Sequence, residues 1–193
     1  MRGKTYQTVF DTGPDGAALR RNLDSLRVDL KAVDQIVLSH WHRDHSGGIL
    51  EFLCCRKEVI TAHHAVNTDN SCKGGEAGED GVMCANEITV DVHPSRPLAR
   101  GVAPPPLYNE VVCRLPEDPT VREMEDLGAR VIMSREGRAV QGGSVFVSGE
   151  IPRVIAWEKG LLGGMRWIET EDGIGEWISD RVSICIYIVG IGG

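Results

Sequence analysis

The chain has 193 residues, of which 41% are hydrophobic and 25% charged, and its formal net charge is −7. This length accommodates one ordinary domain with a real core and is too short for two large domains. The composition excludes a disordered chain, and the acidic balance argues against nucleic acid or an anionic membrane as the main partner.

The first third of the chain alternates strand and helix patterns. "TYQTVFDTGPDG" predicts a strand that ends in a turn beginning at Asp11. Leucines at spacings of four, three and four, from Leu19 to Leu30, predict an amphipathic helix. "DQIVLSH" predicts a buried strand that ends on His40, and "SGGILEFLCC" predicts a second helix with Ser46 as its N-cap.

The rest of the chain reads mostly as strands and loops. "EVITAHH" and "EITVDVHP" predict strands, separated by a loop insertion over residues 67–86. A proline-rich loop is predicted over residues 94–109, because three consecutive prolines forbid both a helix and a central strand. "DPTVREMEDLGA" predicts a short helix, and "RVIMS", "GSVFVSGEIP" and "RVIAWEKG" predict further strands. This order predicts an α/β layered domain.

The scattered cysteines and the polar start of the sequence favour a cytosolic location. The start lacks the apolar stretch of a secretory leader. The last stretch, "ICIYIVGIGG", has about half the length that a membrane span needs. We therefore expect a cytoplasmic protein without a membrane partner, and the sequence leaves its oligomeric state open.

Four side chains of the kinds that bind metals lie within six positions: His40, His42, Asp44 and His45. Residues two apart in an extended segment project to the same side, so the first two imidazoles can face one ion. Asp44 and His45 can reach a second ion, and two-metal sites of this kind position and deprotonate water. Asp11, at the end of a neighbouring strand, can hydrogen-bond a ligand histidine. We therefore predict a metal site.

The motif H-x-H-x-D-H, followed by Ser46-Gly47-Gly48, resembles the signature of the metallo-β-lactamase superfamily. "VFDTGP" resembles the aspartate-bearing strand that precedes this signature. The series "DTGPDG", "LSHWHRDHSGG", "HPSRP" and "VSGEIPR" resembles the branch that includes dihydropterin-6-methyl ribofuranosylaminobenzene phosphate synthases.

The resemblance implies an αβ/βα sandwich with metal-dependent hydrolase or transferase chemistry. By position, His40 and His42 would bind the first metal, Asp44 and His45 the second, and Asp11 would support them. Asp44 would also orient the attacking water. The metal would be one or two zinc ions, although manganese or iron fits the mixed nitrogen and oxygen ligands. The substrate would be a small molecule, of the pterin- or phosphate-containing kind.

Further polar residues leave two interpretations open. His93 ends a predicted strand and either contacts substrate or belongs to a strand-ending turn. We favour the strand-ending turn. Glu150 and Arg153 either bind a polar substrate or form a surface salt bridge. His63 and His64 are adjacent and point to opposite faces, so no role is assigned to them.

The resemblance also implies two further metal-binding histidines, one after "SICIYIVGIGG" and one near the C-terminus, and the sequence contains neither. We therefore expect a single incomplete domain over residues 1–193, shortened at both ends. The alternative function is an inactive fragment that retains weak metal binding. A third interpretation takes Asp-Thr-Gly at residues 11–13 as an aspartic-protease triplet. It would require a homodimer and leaves the histidines unexplained.

Overall fold

The computed structural model describes residues 5–69, 87–152, 154–157, 160–180 and 188–190. The strands are β1 (Gln7–Phe10), β2 (Val33–Val37), β3 (Ile88–Val92), β4 (Ala99–Val102), β5 (Cys113–Leu115), β6 (Ala129–Met133), β7 (Arg138–Val140), β8 (Val145–Val147), β9 (Gly164–Glu169), β10 (Gly175–Ser179) and β11 (Ile188–Gly190). The α-helices are α1 (Gly16–Leu26), α2 (Arg43–Ser46), α3 (Ile49–Asp69) and α4 (Val121–Asp126).

A parallel sheet in the order β1-β2-β3-β6 forms the centre of the structure. Its two inner strands are almost entirely buried, as is usual for parallel strands that are covered by helices. Apolar side chains from β2, β3 and α3 fill the core, with Leu19 and Leu23 of α1 packed against it. The largest of the fully buried side chains are Phe52, Ile36, Leu38, Ile49, Leu53 and Ile88.

Two antiparallel sheets accompany the parallel one, in the orders β10-β9-β4-β5 and β11-β8-β7. An ion pair with a buried carboxylate connects β7 of the third sheet to β3 of the first, because Arg138 Nη2 donates to Asp91 Oδ2. Gln35 Nε2 on β2 donates to the same oxygen at 3.1 Å. Burial raises the pKa of the Asp91 carboxyl, and the charge of Arg138 only partly offsets this rise.

Helix ends follow the local sequence. Asp15 caps α1, its Oδ1 accepting a hydrogen bond from Ala18 N at 2.7 Å. Arg27, in the left-handed conformation, ends this helix. The predicted helix therefore stops short of Leu30, which is buried in the core as a separate contact. Thr120 and Glu123 form a capping box at the start of α4, with its reciprocal hydrogen bonds.

The predicted α/β class is confirmed, and β1, β3, α4 and β6 lie where the sequence pattern places them, whereas α1 and β2 end before the predicted Leu30 and His40. The prediction of a strand over "EVITAHH" is wrong, because these residues continue α3. Helix formers such as Lys57, Glu58 and Ala62 favour the continuation over the local β-branched residues. Residues 154–157 of the predicted strand "RVIAWEKG" form bends and turns.

The two predicted loops differ from the structure in extent. Residues 67–69 belong to α3, and residues 70–86 of the predicted insertion lie outside the described residues. The proline-rich loop over residues 94–109 contains β4, which ends at Val102, just before the first of the three prolines. The prolines therefore limit the strand without preventing it.

No helix in the described part of the chain is both long and apolar enough to span a membrane.

We expect Arg138→Met to destabilise the fold, because it leaves the Asp91 carboxylate buried without its cation. Removing one partner of a buried pair typically costs about 3–5 kcal/mol of unfolding free energy. The loss should be largest near neutral pH and shrink as the carboxyl is protonated at low pH. Urea unfolding at several pH values measures it.

Arg122→Met is the matched control, since the Arg122–Asp126 pair is 3.9 Å apart and solvent-exposed. Such a pair contributes at most about 1 kcal/mol. An equal loss in both variants, or a loss that does not depend on pH, would contradict the role of the buried pair.

Candidate functional site

The site begins where β1 and β2 end at the same edge of the parallel sheet. Phe10 pairs with Val37, and Asp11 N donates to Val37 O at 3.0 Å. Asp11 has a φ of 57°, a left-handed conformation that aspartate tolerates better than most residues. This backbone turn places its carboxylate beside Ser39.

Three donors converge on the Asp11 carboxylate. Its Oδ1 accepts a hydrogen bond from Ser39 N at 2.7 Å, and its Oδ2 accepts one from Ser39 Oγ at 2.8 Å. His45 Nδ1 lies 2.7 Å from the same Oδ2. Asp11 thus ties the end of β1 to the segment after β2, and it contacts one of the histidines that the sequence singles out.

His40 and His42 lie in a tight turn after β2, which ends at Val37. The predicted strand does not reach His40, and His42 N donates to His40 O at 3.0 Å within this turn. The turn still brings the two rings together, with centroids 4.5 Å apart. His40 Nε2 and His42 Nδ1 are 3.0 Å apart.

The short helix α2 carries the other two predicted ligands. Asp44 Oδ2 lies 3.3 Å from His45 Nε2, and the His45 ring centroid lies 4.1 Å from that of His40. Asp44 is largely exposed, whereas the three histidines are partly buried. Ser46 is the last residue of α2 and not the N-cap of the next helix, and its hydroxyl donates to Asp118.

Burial is the main cause that sets the protonation of His40. It lowers the pKa of His40 to about 4, with further lowering by the neighbouring imidazoles of His42 and His45. The ring is therefore neutral at neutral pH, which is the form that binds metals.

The structure adds residues that the sequence reasoning missed. His42 Nε2 lies 2.9 Å from Asp180 Oδ2, and Arg100 pairs with both Asp180 and Asp118. Burial alone raises the pKa of the Asp180 carboxyl, but the hydrogen bond with His42 and the charge of Arg100 outweigh it, and the pKa falls below its ordinary value. Single charged residues at distant positions carry no motif, so only the fold reveals this contact.

Gly47 and Gly48 allow the turn after β1 to approach α2 closely. A Cβ at Gly47 would lie 2.2 Å from Pro14 O, and one at Gly48 would lie 2.3 Å from Thr12 O. Thr12 N donates to His45 O at 2.8 Å across this contact. The "DTGP" and "HSGG" segments therefore form one packed unit.

His93 and Glu150 form a separate group. His93 is buried at the end of β3, where its Nδ1 accepts a hydrogen bond from Ser95 N at 3.0 Å. Its Nε2 lies 3.4 Å from Glu150 Oε2, without an aligned hydrogen bond. Glu150 also pairs with Arg135 at 2.5 Å. Burial lowers the pKa of His93.

The remaining candidate residues are less informative. Arg153 lies outside the described residues, as does the side chain of His64, and His63 is exposed on α3. In the part of the chain that the structure describes, no group of three or more His, Cys, Asp or Glu side chains is arranged to hold a metal ion. His40, His42, Asp44 and His45, which we call the histidine cluster, instead bring their possible ligand atoms together in two pairs.

The first third of the chain is similar to the metallo-β-lactamase superfamily. Residues 1–69, which include β1, the turn and the histidine cluster, match the model of that superfamily. No curated protein matches the chain.

Among solved structures, the chain resembles Tm1679, described as a metal-dependent hydrolase of the β-lactamase superfamily. The TM-score is 0.54 at 14% identity, and the match covers 95% of this chain and 51% of Tm1679. It also matches MEM-A1, a subclass B3 metallo-β-lactamase from a soil metagenome library, with 16% identity over 88% of this chain and 50% of MEM-A1. At a TM-score of 0.36 that second likeness supports no inference.

The comparison with Tm1679 shows a shared fold, and the chain spans about half the length of the solved structures that it matches. The narrower synthase-like branch stays a prediction, as do the shortened ends.

We expect Gly48→Ala to push the "DTGP" turn away from α2, because the new methyl group would overlap the Thr12 carbonyl. Overpacking of this kind typically costs about 1–3 kcal/mol, and backbone atoms can relieve it less easily than side chains. Thermal unfolding measures the loss. An unchanged melting temperature would contradict the close packing of the two segments.

We expect the protein to lose stability as pH falls below about 6.5, the ordinary pKa of histidine. Buried His93 binds a proton less readily in the folded than in the unfolded state, so its contribution is present above that pH and is lost as pH falls through the folded pKa. His93→Gln should flatten this part of the profile of unfolding free energy against pH. An unchanged slope would show that His93 does not contribute.

Proposed function

We propose that this chain is a metal-dependent hydrolase that binds its metal at the histidine cluster. The observation that carries the proposal is the direction in which hydrogen-bond acceptors point. In the neutral form that binds metals, outside contacts fix the protons of the three imidazoles, and the remaining lone pairs then face each other.

Asp180 determines the tautomer of His42. A carboxylate can only accept, so the 2.9 Å contact requires His42 to carry its proton on Nε2. The Nδ1 atom of His42 is then an acceptor, and it faces His40 Nε2.

The Asp11 carboxylate determines the other two rings in the same way. A neutral His45 has one ring proton, and the shorter contact, 2.7 Å from Nδ1 to Asp11, takes it, so Nε2 is an acceptor that faces the Asp44 carboxylate at 3.3 Å. Ser39 Oγ uses its only proton on Asp11, so it can only accept from His40 Nδ1 at 3.0 Å. His40 Nε2 is then an acceptor as well.

Both facing pairs have the spacing of two ligands on one ion. Ligands at about 2.0–2.1 Å from a tetrahedral zinc are about 3.3 Å from each other. The pairs lie 3.0 Å apart for His40 Nε2 and His42 Nδ1, and 3.3 Å apart for Asp44 Oδ2 and His45 Nε2. A cation at each pair would replace a contact between acceptors with two ligand bonds. Zinc suits this donor set, and so do manganese and iron.

The chain's own residues then have separate tasks. A bound metal would supply a Lewis acid and lower the pKa of a coordinated water to about 7. Asp44 is exposed enough to orient that water by accepting a hydrogen bond from it. Asp11, Ser39 and Asp180 prevent the ligand rings from turning. The proposed substrate is a small molecule with a phosphate or ester centre. Transfer of a group to an acceptor other than water, as in a synthase, would use the same site.

A second candidate function is weak metal binding without turnover. It is favoured by the arrangement of the donors in pairs, since no third ligand joins either pair among the described residues. An ion held by two side chains is bound less tightly than one in a closed site.

We expect the purified protein to bind zinc or manganese and the double variant His40→Ala, His42→Ala to lose the metal held by that pair. Elemental analysis after gel filtration measures the stoichiometry. His63→Ala is the matched control, because it removes an exposed histidine far from the cluster along α3. Equal metal content in all three proteins would contradict the site.

Turnover distinguishes the two candidate functions. The metal-loaded protein should hydrolyse an activated phosphodiester or thioester, and Asp44→Asn should lower the rate by about 10²–10⁴-fold. Metal binding without turnover of either substrate would favour the second candidate function.

A further inference from the structure

A chain of buried polar contacts begins at His42 and ends at Ser46, the residue that follows His45 on α2. His42 Nε2 contacts Asp180, and Asp180 Oδ2 accepts from Arg100 Nη1. Arg100 Nε donates to Asp118 Oδ2 at 2.9 Å, and Asp118 Oδ1 accepts from Ser46 Oγ at 2.6 Å. We call these four residues beyond His42, namely Asp180, Arg100, Asp118 and Ser46, the polar bridge.

The polar bridge is shielded from water. Its members are between 0% and 6% exposed. Contacts between charged groups are stronger and less screened in such surroundings than at a surface. Arg100 offers donors in a rigid planar fork, so it fixes both the distance and the direction of the two carboxylates that it joins.

Ser46 of the polar bridge lies on α2, and three other parts of the fold supply the remaining members. Arg100 lies on β4, Asp180 directly follows β10, and Asp118 precedes α4. Arg96 adds hydrogen bonds to the carbonyls of Asp118 and Pro119, which hold that segment in place. The bridge therefore anchors the second sheet to the segment from His42 to Ser46.

We propose that Asp180 is a positioning residue that holds His42 in the tautomer with its proton on Nε2, and that Arg100 and Asp118 extend this control to α2. The inference rests on the proposed function, because it assumes that His42 Nδ1 is a ligand atom. Through Ser46, the same bridge limits the movement of the helix that carries Asp44 and His45.

A merely structural role would not require the bridge to end on a ring nitrogen. Asp91 and Arg138 form a comparable buried pair, 1% exposed on the carboxylate side, and their described contacts do not reach the histidine cluster. This pair supplies a matched comparison within the same chain.

The decisive variant is Asp180→Asn in the full chain. His42 Nε2 and Arg100 Nη1 both contact Oδ2 of Asp180, so an amide in its place either keeps only a neutral, weaker acceptor for the two donors or turns its NH₂ group towards them. We expect long-range ¹H–¹⁵N NMR of the metal-free protein to show His42 protonated on Nε2 in the wild type and a mixed tautomer in the variant. Cobalt(II) affinity, followed by the visible spectrum, should fall by about 10–100-fold.

Asp91→Asn is the control. It removes a buried carboxylate of the same kind, so it should lower the melting temperature but leave the His42 tautomer and the cobalt affinity unchanged. An unchanged tautomer and affinity in Asp180→Asn would overturn the proposal, and so would an equal loss of affinity in Asp91→Asn. If Asp180→Asn does not fold, Arg100→Lys takes its place, since an ammonium keeps the charge but cannot bridge both carboxylates.

Ser46→Ala tests the other end of the polar bridge. It should weaken the second equivalent of cobalt(II) more than the first, because Asp44 and His45 lie on α2. Equal weakening of both equivalents, or none, would overturn the part of the proposal that concerns α2.

The tautomer measurement separates this inference from the proposed function. Wild-type protein that binds no metal would refute the proposed function, while the NMR spectrum of the metal-free protein would still show whether Asp180 controls His42.

Discussion

The hydrogen bonds to the Asp11 carboxylate are the constraint on which the arrangement of the site depends. Three donors from the segment after β2 and from α2 meet at this one group. They can meet there only because β1 and β2 are parallel and end at the same level, with Phe10 opposite Val37. A shift of one residue in this pairing would turn Asp11 to the other face of the sheet and separate it from Ser39 and His45.

Under the proposed function, neutral imidazoles around this point would place hydrogen-bond acceptors against one another. Such an arrangement is unfavourable in the folded protein by itself, because each facing lone pair lacks a donor. Hydrogen bonds to Asp11 and Asp180 would hold these rings in place, so a cation would relieve the contact between the acceptors. Binding to the folded state alone would then stabilise the fold through mass action. The close packing of Gly47 and Gly48 against the "DTGP" turn holds the segment that carries these rings in place.

The sequence predicted the parts of the site that are close together along the chain. Histidines and an aspartate within six positions, and an aspartate at a strand end, are visible without a structure. Other features depend on contacts between distant segments, such as that between His42 and Asp180, and no local pattern encodes them. Local propensity also misled at "EVITAHH", where the continuation of α3 outweighs three β-branched residues. The turn at His40 escaped prediction because a buried apolar run does not show where its strand ends.

The contact between His42 and Asp180 spans 138 residues of sequence, and this separation has a consequence for the newly made protein. At about 5–20 residues per second, the ribosome needs on the order of 10 s to make the chain between them. During that interval the imidazole of His42 has emerged without the carboxylate that fixes its proton. If Asp180 has the proposed role, the nascent chain would pass through a stage in which the histidine motif is present but His42 is not yet positioned for a cation, and metal binding would follow the docking of the β9–β10 hairpin.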